Sequence, residues 1–470
     1  MTPDVARIRE QRAPFEALEA DIVRLSLAAP GDLHDDAVDA LRYVVRFAKL
    51  GLVRARSGQD VDLGELLTQH AWTVRHKLAP HLLDDHSLWG AMRELPGLVA
   101  HTRDRRRQVL THLPLDEESL EAEVTTRPLV VACSGGGGAG YGYAGAWTLF
   151  HRRGLQPELI AGTSIGALLS MFRARRRVFD GAALMAASER LSFEKVFRVL
   201  DMDSRYGLPA TLRLYLRASI GSLFHSPEGR PLTFRDLEIP LLVVTTGIGV
   251  EALKHDLSWY EHALDQAVAP GFKARTSHVA QVAVMANIFR EFLANEESLR
   301  EVVFGADPET MDADIVDAAG FSSSIPGLIH YDVLRDDQRM KSLLDTLYAR
   351  YGITRLVEGG MVNNLPVRPA YQEVMAGRIT RRDAYFVALD CFSPRLSKPL
   401  YFPIQQLVRP NVQRNLAYAN LYFPLDRTLS PLNLVPGATD LTRAMEWTMA
   451  ELSPHMPTIE RMCAPLRRLH

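Results

Sequence analysis

Apolar residues recur at steps of three and four along the N-terminal part of the chain, from about Ala13 to Glu123. Between Ala37 and Val53 this spacing places them on one face of a helix. No strand is needed to explain the pattern. The sequence therefore predicts an all-helical N-terminal region over residues 1–125.

Short apolar runs replace this pattern after Pro128. Each run has the length and composition of a buried strand in a parallel sheet, and helical pattern separates one run from the next. The runs are Leu129–Cys133, Leu159–Ala161, Leu241–Val244, Arg355–Val357 and Tyr385–Leu389. The alternation predicts βαβ units, and therefore an α/β domain over residues 126–395 with a mostly parallel sheet covered by helices on both faces.

Two intervals between the predicted strands are long enough for several helices each, from Ala167 to Pro231 and from Ala263 to Tyr351. They predict helical insertions over one edge of the sheet, where lids are often built. After residue 395 the chain becomes rich in Pro, Tyr and Phe, and a helical pattern returns at Asp440 to Leu452. Residues 396–470 are therefore predicted to form an extension that packs on the α/β domain.

Composition narrows the function classes. With 470 residues, 47% of them hydrophobic, the chain can bury a large core, and a formal net charge of -2 gives no global field for binding nucleic acid. The three cysteines, at 133, 391 and 463, have neither disulfide nor metal-ligand spacing and favour a reducing compartment. The first residues lack a secretory pattern, and no later run has the length of a membrane span. We expect a cytoplasmic protein, with peripheral contact to a membrane left open, and its oligomeric state is not predicted.

A tight turn between a predicted strand and a predicted helix holds the first candidate for chemistry. Ser164 lies in this turn between Gly162 and Gly166. Small neighbours are needed because a serine in such a turn takes up a strained backbone that an adjacent Cβ would obstruct. The start of the following helix adds partial positive charge, which favours an oxyanion. The alternative is a plain connection between a strand and a helix.

A glycine-rich turn, Ser134 to Gly140, directly follows the first predicted strand. Successive glycines let backbone amides point into one space, which suits either a phosphate or the oxyanion of an acyl-transfer intermediate. A P-loop would end in Gly-Lys-Ser/Thr, and a dinucleotide site would need an acid after the next strand. The chain has neither feature, so an oxyanion is the more economical ligand.

Glu358 follows another predicted strand and begins a turn with Gly359 and Gly360. If the strands are parallel, this carboxylate faces the same rim of the sheet as Ser164 and is able to act as a general base. The alternative is an ordinary turn acid with no role in chemistry.

Together the three segments resemble the patatin-like phospholipase family. The family pattern is a glycine-rich turn, a Gly-x-Ser-x-Gly elbow soon after it, and an Asp-Gly-Gly/Ala turn far downstream. Gly145, the segment Phe321–Gly327 and the segment Leu232–Leu237 are also similar to family features. The resemblance spans roughly Pro128 to Asp390.

The resemblance implies a three-layer α/β/α fold and a serine and carboxylate dyad without histidine, acting on lipid or acyl-ester substrates with no cofactor or metal. By position, Ser164 is the nucleophile, Glu358 stands where the aspartate would be, and the amides of Gly136, Gly137 and Gly138 line the oxyanion hole. The implied reaction is hydrolysis through a serine acyl-enzyme, of the phospholipase A, lysophospholipase or carboxylesterase type.

Two departures bear on activity. Glu358 is one methylene longer than aspartate, and Ala139 stands where the family usually has Arg or Lys. The length of the side chain matters more for activity than its basicity, because the intrinsic pKa values of Glu and Asp differ by only about 0.4. The sequence predicts equal or faster turnover for Glu358→Asp and leaves Asp390 as an alternative acid. An inactive protein that binds lipid or a partner is the alternative function.

Two further alternatives remain. An α/β-hydrolase triad would use His330, His455 or His470 as its base, although the expected order of serine, acid and late histidine is not met convincingly. The arginine cluster from Arg173 to Arg177 is either a contact for anionic lipid headgroups or a solvated helix end.

Overall fold

The structure is a computed structural model that describes residues 4–28, 35–199, 205–208, 210–249, 298–394 and 402–469. The chain divides into two compact units. The first comprises Met1–Val130, Tyr371–Phe386 and Ser453–His470, and the second comprises Val131–Ala370 and Val387–Leu452. The three-segment organisation expected from the sequence stays a prediction.

The first unit is mainly helical, as the spacing of its apolar residues predicted. Its helices are Val5–Ala28, Asp35–Ala48, Gly64–Ala79, Leu88–His112, Glu117–Thr125 and Met456–Cys463, with a π-helical turn at Pro80–Asp84 and a 3-10 turn at Ser453–His455. One exception is a small antiparallel hairpin of strands β1 (Leu52–Arg54) and β2 (Asp60–Asp62). Strands of three residues are too short for their alternation to stand out in a sequence.

A cluster of buried charges lies among the helices of the first unit. Glu19 is fully buried and is within 2.7 Å of Arg46, 3.0 Å of Arg127 and 3.2 Å of Arg42. A fourth cation, Lys49, has its Nζ 3.4 Å from Oε2 of Glu19. Burial alone raises the pKa of Glu19, but the four cations outweigh it and hold the pKa well below its ordinary value. The carboxylate therefore stays ionised, as a buried charge does when its partners surround it.

The remaining strands confirm the five predicted from apolar runs and add shorter ones. They are β3 (Leu129–Cys133), β4 (Pro157–Thr163), β5 (Phe197–Val199), β6 (Ala210–Leu214), β7 (Leu241–Gly249), β8 (Leu299–Phe304), β9 (Gly327–His330), β10 (Ile353–Val357), β11 (Tyr385–Asp390) and β12 (Leu421–Pro424). The central sheet has the order β10-β7-β4-β3-β11-β12, with β8 also paired to β7, while β5, β6 and β9 form a second sheet. Strands β3 and β11 are buried throughout, as expected for strands covered on both faces.

Helices alternate with these strands, which gives the mixed α/β architecture with a mostly parallel sheet expected for the family resemblance. They are Tyr143–Arg152, Ile165–Ala174, Gly181–Arg190, Phe193–Val196, Leu216–Ile220, Ile315–Ser322, Gln338–Tyr351, Val367–Met375, Phe402–Leu416 and Ala438–Leu452, with 3-10 turns at Gly137–Gly142, Gly221–Phe224, Phe234–Asp236, Thr310–Asp312 and Gly359–Met361. The predicted insertion after Ala167 does hold helices. The other predicted insertion lies outside the described residues as far as residue 297.

No helix in the described ranges combines the length and the apolar character that crossing a bilayer would require.

One edge of the central sheet is antiparallel, and this differs from the premise used to place Glu358. Strand β7 runs parallel to β4, with Thr163 paired to Val244, and then continues for five residues beyond that pair. Strand β10 pairs antiparallel to this extension and ends with Val357 opposite Thr246. The chain therefore delivers Glu358 to the carboxyl end of β4 from the opposite direction. The predicted meeting point is reached although the predicted strand direction is wrong.

Candidate active site

Ser164 lies at the sharp turn between β4 and the helix Ile165–Ala174. Its backbone has φ 54° and ψ -125°, a conformation that residues other than glycine rarely adopt. The turn places the serine at the N-terminus of the helix, where partial positive charge favours an anion. A strained backbone at this point is what the sequence pattern predicted.

Close backbone contacts explain the glycines on either side of the serine. A Cβ on Gly162 would lie 2.6 Å from the backbone nitrogen of Ala167. A Cβ on Gly166 would lie 2.4 Å from the carbonyl oxygen of Cys133. No carbon atom fits at such distances, so a larger residue at either position would displace the turn. This is the geometry that a nucleophile elbow needs.

The end of helix Ile315–Ser322 and the residues directly after it contact both Ser164 and Glu358. The backbone N–H of Ser164 donates to Oγ of Ser322 at 2.8 Å, and that hydroxyl donates to the carbonyl of Val244 at 2.6 Å. Two residues later, the carbonyl of Ser324 accepts a hydrogen bond from the N–H of Glu358 at 2.9 Å. The sequence had singled out this segment only by resemblance, and its contacts now give it a structural role.

Glu358 is a buried carboxyl group, 6% exposed, at the start of the 3-10 turn Gly359–Met361. Its Oε1 accepts a hydrogen bond from the N–H of Gly360 at 3.3 Å. Its Oε2 is buried and has no hydrogen-bond partner among the described residues. Burial raises the pKa of Glu358 from 4.5 to about 8, and hydrogen bonds from the Ser164 side chain and the Gly360 amide offset only part of the rise. A carboxyl group whose pKa lies near neutrality suits proton transfer in both directions.

Ser164 and Glu358 face each other next to Gly135, the first glycine of the turn after β3. A Cβ on Gly135 would lie 3.0 Å from Cβ of Ser164 and 3.4 Å from Oε1 of Glu358. The Ser164 side chain is close enough to Glu358 to lower the pKa of its carboxyl group. Three segments that are distant in the sequence therefore meet at one point of the sheet rim.

The glycine-rich turn offers two free amides beside this point rather than three. Within the part of the chain that the structure describes, no acceptor pairs with the backbone N–H of Gly136 or Gly137. The N–H of Gly138 instead donates to the carbonyl of Pro431 at 2.9 Å. That amide is therefore not available to an oxyanion here, and a sequence pattern had no means of revealing its partner. Residue 139 is a buried alanine, so this position places no cation beside the amides.

The side chain of Asp390, the alternative acid, accepts hydrogen bonds from groups other than Ser164. Its Oδ1 accepts hydrogen bonds from Oγ of Ser134 at 2.9 Å and from the N–H of Phe392 at 2.8 Å, and its Oδ2 accepts one from the hydroxyl of Tyr422 at 2.8 Å. Tyr143 joins the network through Ser134 at 2.9 Å. Asp390 thus holds Ser134, the first residue of the glycine-rich turn.

His330, one of the histidines of the rival triad, hydrogen-bonds to a group other than Ser164. His330 is buried, and its Nδ1 hydrogen-bonds to the carbonyl of Leu208 at 2.8 Å. His455 belongs to the first unit, and His470 lies outside the described residues. None of the described hydrogen-bond partners of Ser164 is a histidine.

The arginine cluster after the serine helix is partly unavailable to a lipid headgroup. Arg173 is fully buried and donates to the carbonyl of Arg176 at 2.8 Å. Arg175 donates to the carbonyl of Leu223 at 2.6 Å. These two side chains serve the local structure, which weakens the headgroup alternative for the cluster.

An apolar pocket of about 950 Å³, including its opening to solvent, adjoins the serine. Ser164, Leu168 and Phe172 all line it, so it follows the serine helix for two turns, or about 12 Å at roughly 1.5 Å per residue. Gly137 lines it at the end that carries the free amides. None of the described lining residues is charged. Such a pocket suits an alkyl chain whose carboxyl end meets Ser164.

Two asparagines that the sequence pattern did not single out hydrogen-bond to the turns of the site. Asn364 exchanges hydrogen bonds with Gly135, and Asn411 contacts the turn that carries Glu358. Asn364 lies six residues after Glu358, and the sequence predicted no role for it. Asn411 had no sequence signal, because its contact depends on how a distant helix packs.

Comparison with known proteins agrees with the sequence resemblance. A family model described as patatin-like phospholipase matches residues 131–371, just over half of the chain. The matched range contains the glycine-rich turn, Ser164 and Glu358. A search of curated proteins returns no match.

Proposed function

The chain belongs to the patatin-like phospholipase family, and from this premise we propose that it hydrolyses lipid acyl esters through a serine acyl-enzyme, with Ser164 as nucleophile and Glu358 as the proton-transferring base. The membership supports lipid acyl hydrolysis in general. The subtype and the residue roles are the further step proposed here. The observation that carries it is the juxtaposition of Ser164, which lines an apolar pocket, with a buried carboxyl group whose pKa no cation lowers.

In the first half of the reaction, ionised Glu358 takes the hydroxyl proton as Oγ of Ser164 attacks the ester carbonyl. The bond from the carbonyl carbon to the leaving oxygen then breaks, and Glu358 returns its proton to that oxygen. In the second half, water attacks the acyl-enzyme while Glu358 accepts a proton from it. The serine recovers the proton as the fatty acid leaves, so the enzyme ends in its starting state.

The free amides of Gly136 and Gly137 are proposed to stabilise the oxyanion of both tetrahedral intermediates. Backbone amides that are fixed before the reaction need no reorganisation when charge develops, and one such donor is worth about 10²–10³ in kcat. The helix that begins after Ser164 adds its partial positive charge at the same place. This arrangement requires neither a metal nor a side-chain cation.

The pocket supports an uncharged acyl chain as the group that is bound. Its lining is apolar along the helix Ile165–Ala174, and Ser164 and Gly137 of the amide-bearing turn are among the lining residues. Because an extended alkyl chain zigzags, each C–C bond advances it by less than the bond length of about 1.5 Å, so more than about eight bonds are needed to run the roughly 12 Å of this helix. We therefore expect esters of medium or longer acyl chains to be better substrates than acetates.

Hydrolysis of a medium-chain p-nitrophenyl ester tests the proposal. Wild-type protein and Ser170→Ala should release p-nitrophenol, and Ser164→Ala should not. Ser170 is a matched control because it is a buried serine in the same helix that does not line the pocket. Reaction of wild type with a fluorophosphonate probe separates this function from the alternative of a lipid-binding or partner-binding module, since an idle serine would remain unlabelled. Equal hydrolysis by Ser164→Ala would refute the proposed nucleophile.

A further inference from the structure

Asn411 lies in the helix Phe402–Leu416, beyond the residues that the family model matches. Its side chain is buried, with the residue only 3% exposed. A buried amide group has both a donor and an acceptor to satisfy, so its partners reveal what it holds.

Both the NH₂ group and the carbonyl oxygen of the Asn411 side chain hydrogen-bond to the turn that follows Glu358. Its Nδ2 donates to the carbonyl of Gly360 at 2.9 Å, and its Oδ1 accepts from the N–H of Asn364 at 3.0 Å. The two contacts close on the start and the end of a five-residue stretch. No side chain with only donors or only acceptors is able to satisfy both groups.

Asn364 carries the connection on to the glycine-rich turn. Its carbonyl accepts from the N–H of Gly135 at 3.1 Å, and its Nδ2 donates to the carbonyl of Gly135 at 3.4 Å. A hydrogen-bonded path therefore runs from Gly360 through Asn411 and Asn364 to Gly135. Its two ends are the turn with the proposed base and the turn with the proposed oxyanion donors.

We propose that Asn411 is a positioning residue that holds the Glu358 turn and the oxyanion turn in register around Ser164. The inference rests on the proposed function, because register matters only if the two turns act on one reacting group. A displacement of about 1 Å at a reacting centre can cost on the order of 100-fold in rate. Asn411 does not line the pocket, so its loss leaves acyl-chain binding intact.

The kinetic test compares Asn411→Ala with Asn415→Ala. Asn415 is a matched control because it is equally buried, lies one turn further along the same helix and accepts from the N–H of Arg368 at 2.9 Å. Asn415 contacts neither Gly360 nor Asn364 in the described structure; its Oδ1 also accepts from Nδ2 of Asn363 at 3.4 Å, and its Nδ2 donates to the backbone carbonyl of Asn411 at 2.8 Å. For Asn411→Ala we expect kcat to fall about 10- to 100-fold with KM within twofold of wild type. For Asn415→Ala we expect kcat within threefold of wild type at the same temperature.

Amide hydrogen exchange supplies a second readout that does not depend on activity. In folded Asn411→Ala, exchange should accelerate in the peptides covering residues 134–138 and 358–364, whereas in Asn415→Ala the peptide covering residues 134–138 should exchange as in wild type. Equal kcat values for the two variants, or unchanged exchange in both peptides of Asn411→Ala, would overturn the positioning role. An inactive wild type would defeat the proposed function instead, and the exchange result would still decide whether Asn411 holds the two turns.

Discussion

Two buried glutamates, one in each compact unit, show that the same side chain can serve structure or chemistry. Glu19 in the first unit is fully buried and surrounded by Arg42, Arg46, Lys49 and Arg127. Glu358 in the second unit is 6% exposed, and no cation contributes to its pKa. Burial acts to raise the pKa of both groups. The cations keep the pKa of Glu19 well below its usual range, whereas that of Glu358 rises to about 8.

The difference lies in whether a buried carboxyl group is given a counter-charge. A carboxylate paired on several sides remains ionised at all ordinary pH values and contributes to folding. An unpaired one exchanges its proton near neutrality, which lowers stability but suits acid-base catalysis. We therefore expect the two positions to respond in opposite ways to the same substitution.

Glu358→Gln should have the largest effect on activity. Removing the base should lower kcat for ester hydrolysis by about 10²–10⁴, the usual contribution of a general base. The variant should be at least as stable as wild type, because glutamine removes an unpaired buried acid. Folding favours the protonated form of Glu358, so wild type has this contribution in full below pH 4.5 and loses it as the pH rises through about 8. The stability advantage of the variant, measured by urea unfolding, should grow over that window. Full activity in the variant would break the comparison.

Glu19→Gln should have the opposite effects, a loss of stability with an unchanged turnover number. Taking one anion out of a buried cluster leaves several cations uncompensated, which costs about 3–5 kcal/mol. Urea unfolding should show that loss, and the protein that remains folded should keep its turnover number. Glu118→Gln is the control, because Glu118 pairs with Arg56 on an exposed surface and should contribute less than about 1 kcal/mol. An undiminished free energy of unfolding for Glu19→Gln would show that the cluster is not structural.

The same contrast explains what the sequence could and could not predict. The turn at Ser164 was predictable, because any turn of this kind brings backbone atoms too close to positions 162 and 166 for residues larger than glycine. The family resemblance indicated Glu358, although the direction of β10 was wrong because strand polarity depends on a distant partner. Three of the cations around Glu19, at positions 42, 46 and 49, follow one another at helical spacing, but their carboxylate partner and Arg127 come from elsewhere in the chain, so the sequence does not reveal that they meet. The pairing of the Gly138 amide with Pro431 and the contacts of Asn411 are likewise products of tertiary packing.

Glu358→Asp sharpens the comparison by changing reach while keeping charge. The sequence suggested equal or faster turnover, but in the structure the longer side chain already accepts a hydrogen bond from the N–H of Gly360 and lies, like Ser164, beside Gly135. Shortening it should withdraw the carboxyl group from the serine and lower kcat by about 100-fold. Steady-state hydrolysis of one ester by the two proteins measures this. Turnover equal to wild type would favour the sequence-based expectation.

Ala187→Phe leaves both glutamates unchanged and should have the smallest effect. Ala187 is 7% exposed and lines the pocket, so a larger side chain should shorten the space for an alkyl chain. We expect kcat/KM for long-chain esters to fall about tenfold relative to short-chain esters, a shift of the size that a few contacts in an apolar pocket supply. A series of p-nitrophenyl esters of increasing length measures it, and an unchanged preference would place the acyl chain elsewhere.

The rate of fluorophosphonate labelling as a function of pH tests most directly whether Glu358 activates Ser164. In wild type the adduct should map to Ser164, and its rate of formation should rise about tenfold per pH unit up to pH 8 and then level off, following ionisation of Glu358. In Glu358→Gln the residual rate should show no such inflection. An adduct on another residue, or the same pH profile in both proteins, would contradict the account.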